Sequence, residues 1–430
     1  MPVDTPGTEL HRISSIVVTP VAFRDLPLLN TVGVHEPFAL RAIIQMHTDS
    51  GLLGLGETYG DEIHLARLRQ AADSILGVDV FNTHDMARRI SAVLANDTTV
   101  GGDGVSGMVT TSRMSDRVLS PFEVAAMDLQ GKVLGRPVSD LLGGAVRDSV
   151  AFSGYLFYKW AGHPGFEDDT WGAALDPEGI VRQAERMVAD YGFTALKLKG
   201  GVFPPEEEAA AIEALRVAFP DHPLRLDPNA AWTVESSIKV GRRLEGVLEY
   251  LEDPTGTITG MAQVARDVPM PLATNMCVVS FDDVEAAVRE RAVRVILSDH
   301  HFWGGLRRSQ SLASICDTFG MGLSMHSNSH LGISLAAMTH LAAATPNLDY
   351  ACDTHWPWKS EDEDIVVPGA LSFKDGSVEV PTAPGLGVEL DPDALARLHE
   401  QYLECGIRKR DDATYMQRFR PDFELKAPRW

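Results

Sequence analysis

Seven polar residues close short apolar runs at a nearly constant interval through the middle of this 430-residue chain. They are Lys199 (Leu-Lys-Leu-Lys), Asp227 (Leu-Arg-Leu-Asp), Glu252 (Tyr-Leu-Glu), Asn275 (Leu-Ala-Thr-Asn), Asp299 (Ile-Leu-Ser-Asp), His326 (Leu-Ser-Met-His) and His355 (Cys-Asp-Thr-His). Successive members are 28, 25, 23, 24, 27 and 29 residues apart, with helical periodicity between them at 206–219, 234–244, 282–289, 305–318 and 332–344. A βαβ unit takes about 30 residues, so this period predicts a parallel α/β barrel, a (β/α)8-type fold. The C-terminal ends of barrel strands converge on one mouth, where catalytic groups sit. The seven residues are therefore expected to share that mouth.

The run Leu196-Lys-Leu-Lys199 has a further consequence. Side chains alternate along a strand, so Lys197 and Lys199 point one way and Leu196 and Leu198 the other. Two adjacent ammonium groups repel, and each is expected to depress the other's pKa. That would leave a lysine able to act as a base near neutral pH.

A chain this long calls for two domains around a large core. The net charge of −22 argues against nucleic acid or an anionic membrane as partner. An anionic substrate would need local positive charge, from the lysine pair, a metal and an arginine. Cys277, Cys316, Cys352 and Cys405 are too widely spaced for a metal clamp and read as buried thiols. The first residues lack a basic, then apolar, leader, and no 18-residue apolar run occurs, so a cytoplasmic location is expected.

Before the barrel, strand-like alternation at 13–23, 38–48 and 54–57 predicts a small antiparallel sheet, with Asn30 and His35 in the loop between the first two. Helices are expected at 64–76, 84–94 and 120–134, the last begun by Ser120-Pro-Phe-Glu123. The Gly/Thr/Ser-rich stretch 97–115 reads equally as loop or lid. These elements give an α+β domain over 1–145, a barrel domain over 146–384 and a C-terminal segment over 385–430. That segment holds a helix at 391–405 and a charged run at 407–415, whose default reading is solvated surface.

Asp227, Glu252 and Asn275 end three consecutive strands and offer three hard oxygen ligands, a set suited to Mg²⁺ with positions left for substrate and water. The bland alternative is that they cap helices or pair with the lysines. Asp299, one strand before His326, would fix the imidazole's tautomer and raise its basicity. Lys199 and His326 would then flank the metal from opposite sides, an arrangement for removing a proton next to a carboxylate while the metal holds the developing charge.

On Gly154-Tyr-Leu-Phe157, Leu196-Lys-Leu-Lys199, Leu226-Asp-Pro-Asn229, Leu251-Glu-Asp-Pro254, Ala273-Thr-Asn-Met276, Asp299-His-His-Phe-Trp303, His326-Ser-Asn328, Asp353-Thr-His-Trp356 and Arg410-Asp-Asp-Ala413, the chain resembles the enolase superfamily. Within it, the resemblance is to the glucarate dehydratase group of acid-sugar dehydratases, and it covers essentially the whole chain. It implies a modified (β/α)7β barrel with an N-terminal α+β capping domain to which the C-terminal segment returns. A lysine or histidine base with Mg²⁺ is already described for such sites. By resemblance, Asp227, Glu252 and Asn275 hold the metal, and Lys199 and the His326–Asp299 pair are the acid/base groups. Lys197 assists by charge. Asn30, His35, Tyr155, Asn229, His355 and Arg410 touch the substrate, with His35, Tyr155 and Arg410 around its far carboxylate.

The implied activity is Mg²⁺-dependent dehydration of a D-glucarate-type aldarate to a keto-deoxy aldarate, by loss of the proton α to a carboxylate and then of the β-hydroxyl. The alternatives are another acid-sugar dehydratase (galactarate, idarate or an aldonate) or a racemase/epimerase of the same superfamily. The partner implied is a small dicarboxylate, in a homo-oligomer. A barrel retained only as a binding subunit would be expected to have lost a ligand or a base, and none is missing. Two places depart from the group. Its threonine contact aligns poorly with Thr110 and Thr111, and His300 stands where the group has proline.

Overall fold

The structure, a computed structural model, describes residues 11–99, 113–360 and 362–430. Thr110 and Thr111, with most of the glycine-rich stretch, lie outside the described residues. The N-terminal alternation is realised as Ile13–Arg24 antiparallel to Phe38–Thr48, with Leu53–Tyr59 added beyond the second strand through the turn at Asp49-Ser-Gly51. Between the first two strands, Leu29–Asn30 pairs with Gly33–Val34 as a two-residue ribbon.

Helices Glu62–Ser74, Thr83–Val93 and Met114–Leu134 accompany this sheet, and their buried side chains form one cluster with Ala42, Ile44 and Met46. The third helix packs on the edge strand at Gly54 and Gly56. A Cβ at Gly56 would stand 2.1 Å from the Pro121 carbonyl oxygen, and one at Gly54 2.4 Å from that of Ala125. That helix begins at Met114, not at Ser120, and carries Pro121 inside it. The apparent helix-start motif serves another element. The Ser120 hydroxyl donates to the His300 carbonyl (2.8 Å), and Glu123 accepts from the Leu306 and Arg307 amides (2.8 and 3.2 Å) at the start of a barrel helix. Burial outweighs those bonds and pushes the Glu123 carboxyl up to about 7.

Eight parallel strands follow: Ser149–Phe157, Leu196–Lys199, Leu224–Asp227, Leu248–Glu252, Leu272–Thr274, Val295–Ser298, Gly322–Met325 and Cys352–Thr354. Neighbours pair in chain order as far as the seventh, and the eighth pairs with the first. The seam between seventh and eighth is crossed by the Asp349 amide on Leu323 O and the Ser324 hydroxyl on Ala351 O. Leu196, Leu198, Leu224, Leu226 and Leu251 face outward into the main hydrophobic core, while alternate positions face the barrel axis. Low in the barrel, the Arg225 guanidinium lies 4.8 Å from the Tyr250 ring centre and plugs the interior.

Helices follow the first seven strands, from Pro177–Tyr191 to Gly332–Ala343, whereas the eighth leads only into the 3-10 turn Trp356–Trp358. The barrel is therefore the modified (β/α)7β form. A hairpin, Phe373–Lys374 with Ser377–Glu379, pairs antiparallel with the start of the first barrel strand. Helix Pro392–Cys405, capped by Asp391, then crosses to the first N-terminal strand, where His399 and Gln401 reach the Pro20 and Ala22 carbonyls (2.7 and 3.0 Å).

The charged run at 407–415 is not solvated surface. Asp412 and Tyr415 are buried, and helix Asp412–Gln417 packs on Gly33–Val34. All four cysteines are free, three of them buried. Among the described residues, no helix is long and apolar enough to cross a membrane.

The close seating of helix and sheet at Gly56 makes a prediction. Gly56→Ala should cost about 1–3 kcal/mol, the usual range for overpacking, read as a lower denaturant midpoint with an unchanged slope. An unaltered midpoint would mean that the helix can shift freely.

Candidate active site

The second barrel strand delivers both lysines to the axis, into a nest of carboxylates. Lys197 Nζ lies 2.6 Å from Asp353 Oδ2, 2.6 Å from Glu252 Oε2 and 3.7 Å from Asp227 Oδ2. Lys199 donates to Asp227 Oδ2 (2.7 Å) and to Asn229 Oδ1 (2.6 Å). The mutual depression expected of the lysine pair does not govern Lys197. Burial alone would lower its pKa, but Asp353 and Glu252 outweigh burial and hold it well above the ordinary value. Burial likewise opposes ionisation of Asp227, and Lys199 and Lys197 overcome it to hold that carboxyl low.

Tyr155, on the first barrel strand, donates its hydroxyl to Asp227 Oδ2 (3.0 Å), and its ring centre lies 4.6 Å from Lys197 Nζ. Asn229 takes the left-handed conformation (φ 55°), which turns its amide onto Asp227 Oδ1 (3.0 Å) and its side chain onto Lys199. Asp353 is not among the residues expected from the sequence. Its signal there is a place two residues before His355, which puts both on one strand face.

Glu252 and Asn275 differ from these neighbours. Both carboxylate oxygens of Glu252, and both carboxamide atoms of Asn275, are buried without a hydrogen bond; Lys197 touches Glu252 off the hydrogen-bonding line. Burial, reinforced by Asp227, Asp353 and Asp253, pushes the Glu252 carboxyl well up despite Lys197. Asp253 fixes the Asn275 backbone, accepting from its amide (2.7 Å) and from the Thr274 hydroxyl (2.5 Å). Buried oxygens that accept no hydrogen bond, beside an ionised Asp227, fit a hard cation such as Mg²⁺. Asp299, His300 and His301 also bring ligand atoms within 4.8 Å of one another. There, however, both nitrogens of His301 are engaged by other side chains, so that group offers no ready site.

Across the mouth, His326 Nδ1 lies 3.1 Å from Asp299 Oδ2, on the seventh and sixth strands. Burial would raise the Asp299 pKa, but His301 and His326 hold it well below the usual carboxylate range. An ionised carboxylate can only accept, so Nδ1 carries hydrogen and Nε2 is the nitrogen left to exchange a proton. His301 is the residue missed here, since its Nδ1 takes the other oxygen of Asp299 at 2.7 Å.

The remaining expected residues fall in two places. His355 packs against Tyr155 and Phe157 (ring centres 5.1 and 5.4 Å), and burial holds its pKa well down. His35 Nδ1 lies 3.1 Å from Asp25 Oδ2, which the Arg410 guanidinium approaches at 3.8 Å. Arg410 is itself bound by Asp412 at 2.8–3.1 Å. Tyr155 thus stands on the floor with Asp227, whereas His35 and Arg410 meet at Asp25 in the cap. The Asn30 carboxamide oxygen accepts from the Val32 amide (2.8 Å) within its own ribbon.

A family model described as enolase C-terminal domain-like matches residues 179–394. A probable glucarate dehydratase of Streptomyces coelicolor is 51% identical over 97% of this chain and 99% of its own length. An enolase from Gibberella zeae PH-1, crystallised with magnesium, formate and sulfate, superposes with a TM-score of 0.97 at 65% identity over 98% of each chain. One from Mycobacterium smegmatis, crystallised with tartrate, gives 0.94 at 66% identity over 99% of this chain and 100% of the other. The chain belongs to the enolase superfamily. Within it, this is an enzyme, a hydro-lyase of the glucarate dehydratase-like kind.

The loop behind Lys199 hangs on Glu208, whose carboxylate accepts from the Gly201, Val202 and Phe203 amides (3.0, 2.8 and 3.0 Å). Burial nonetheless pushes Glu208 up to about 7. A carboxyl raised in the folded state stabilises fully below its unfolded pKa of about 4.5, and that contribution is lost as pH rises through about 7. Every tenfold gain in proton affinity on folding is worth about 1.4 kcal/mol. Glu208→Gln should therefore flatten the fall in stability between pH 4.5 and 7, measured as the pH dependence of the unfolding midpoint. A slope equal to the wild type's would show that Glu208 titrates normally.

Proposed function

We propose that this chain removes water from an aldarate of the D-glucarate type and gives a keto-deoxy aldarate. The observation that carries this reading is that the buried side-chain oxygens of Glu252 and Asn275, beside Asp227, accept no hydrogen bond and lie between Lys199 and the His326–Asp299 pair. Likeness to the probable glucarate dehydratase of Streptomyces coelicolor supports the acid-sugar class.

Asp227, Glu252 and Asn275 would hold Mg²⁺, which when bound supplies a Lewis acid to the substrate carboxylate. Lys197, already balanced by Asp353, adds fixed positive charge where negative charge builds on that carboxylate. Lys199 or His326 takes the α-proton, the electron pair of that C–H bond forms the new double bond, and the β-hydroxyl leaves. Where His326 takes the α-proton, its Nε2 returns that proton to the leaving hydroxyl. Where Lys199 takes it, a His326 already protonated at Nε2 gives its own. Either way the hydroxyl departs as water, and the resulting enol becomes the ketone. Tyr155, Asn229 and His355 position the reacting end. At the other end, Arg410, oriented by Asp412, and His35, oriented by Asp25, receive the far carboxylate, with Asn30 reading a hydroxyl.

Incubation with Mg²⁺ and a panel of aldarates and aldonates should give a 2-keto acid from an aldarate. Asp227→Ala and Glu252→Ala should abolish product without unfolding the barrel. Undiminished turnover after exhaustive chelation would refute the metal assignment, and epimerised acid without keto product would identify a racemase/epimerase.

Arg410→Ala should lower kcat/KM on an aldarate by about two to three powers of ten, the roughly 3–5 kcal/mol of a broken buried pair. An aldonate, lacking the second carboxylate, should suffer much less. Equal losses on both would mean that Arg410 serves only to hold Asp412.

A further inference from the structure

Asp299 serves two imidazoles, and the second is tied to the capping sheet. His301 Nδ1 lies 2.7 Å from Asp299 Oδ1, and the His301 amide donates to the same oxygen at 2.9 Å. At the far side of the ring, Arg41 Nη2 and the Ser334 hydroxyl each lie 3.1 Å from His301 Nε2, and Arg41 Nη2 also donates to that hydroxyl at 3.2 Å. Arg41 Nε donates in turn to Glu57 Oε1 (2.8 Å). Glu57 is anchored by the Leu331 and Ser334 amides, each at 2.8 Å, at the start of the barrel helix Gly332–Ala343. Every member of this chain is buried.

The donor rules fix one end of His301. A carboxylate only accepts, so Nδ1 must carry the hydrogen, while Nε2 faces the Arg41 guanidinium and the Ser334 hydroxyl. His301 is therefore held at both ends. Its donor on Oδ1 fixes the plane of the Asp299 carboxylate, and Oδ2 remains for His326.

We propose that His301, braced by Arg41 and Glu57 of the capping sheet, is a positioning residue for the His326–Asp299 pair. The cap thereby sets the orientation of the His326 imidazole. This rests on the reading that His326 moves a proton on the substrate.

Asparagine at 301 can place a donor where Nδ1 was, whereas glutamine reaches toward Arg41 and leaves Asp299 short of a donor. His301→Ala should lower kcat about 100-fold, the scale of a misplaced catalytic group, with KM nearly unchanged. His301→Asn should recover most of that loss, and His301→Gln should not. Equal activities of the Asn and Gln variants, a KM rise matching the kcat loss, or wild-type rates in His301→Ala would overturn the proposal. A crystal structure of His301→Ala tests it without any substrate. Asp299 is expected to turn away from His326, and an intact contact at 3.1 Å would overturn the inference even if no acid sugar proved to be a substrate.

Discussion

Lys197 is the buried charge on which the mouth of this barrel depends. Its ammonium is removed from water entirely, and only the carboxylates of Asp353, Glu252 and Asp227 make that tolerable. The exchange runs both ways. The lysines keep Asp227 ionised, while Glu252 is left short of positive charge and pushed up. A cluster of this kind is costly as a device for stability and makes sense as a preorganised field. A divalent cation at Asp227, Glu252 and Asn275 would complete the charge balance.

The cap and the barrel are joined by groups that serve the site as much as the fold. Arg41 and Glu57 of the N-terminal sheet reach His301 and the helix after the seventh strand. Ser120 and Glu123 of the long cap helix hold the segment from His300 to Arg307. Asp25 gathers His35 and Arg410 from opposite ends of the chain. Pockets between structural units are common places for ligands, and here the sixth and seventh strand ends are held from above as well as below. The acidic surface expected from a charge of −22 is offset locally by the buried Lys197 and Lys199 and by the largely covered Arg410.

Much of this was legible in the chain itself, because strands and helices are encoded by local period. The recurrence of a polar residue at the end of each apolar run placed Lys199, Asp227, Glu252, Asn275, Asp299, His326 and His355 at one mouth, and alternation turned Lys197 and Lys199 inward together. Such patterns need no knowledge of distant residues. Tertiary structure alone decided what each charge meets. Lys197 finds Asp353 across 156 positions, His301 finds Arg41 across 260, and Glu123, in the middle of its own helix, caps one 183 residues away. Protonation follows from Coulomb and desolvation energies that act over a few ångströms in space. Sequence order carries no measure of those distances, so the lysine pair read in isolation suggested mutual repulsion, and the fold surrounded Lys197 with acids instead.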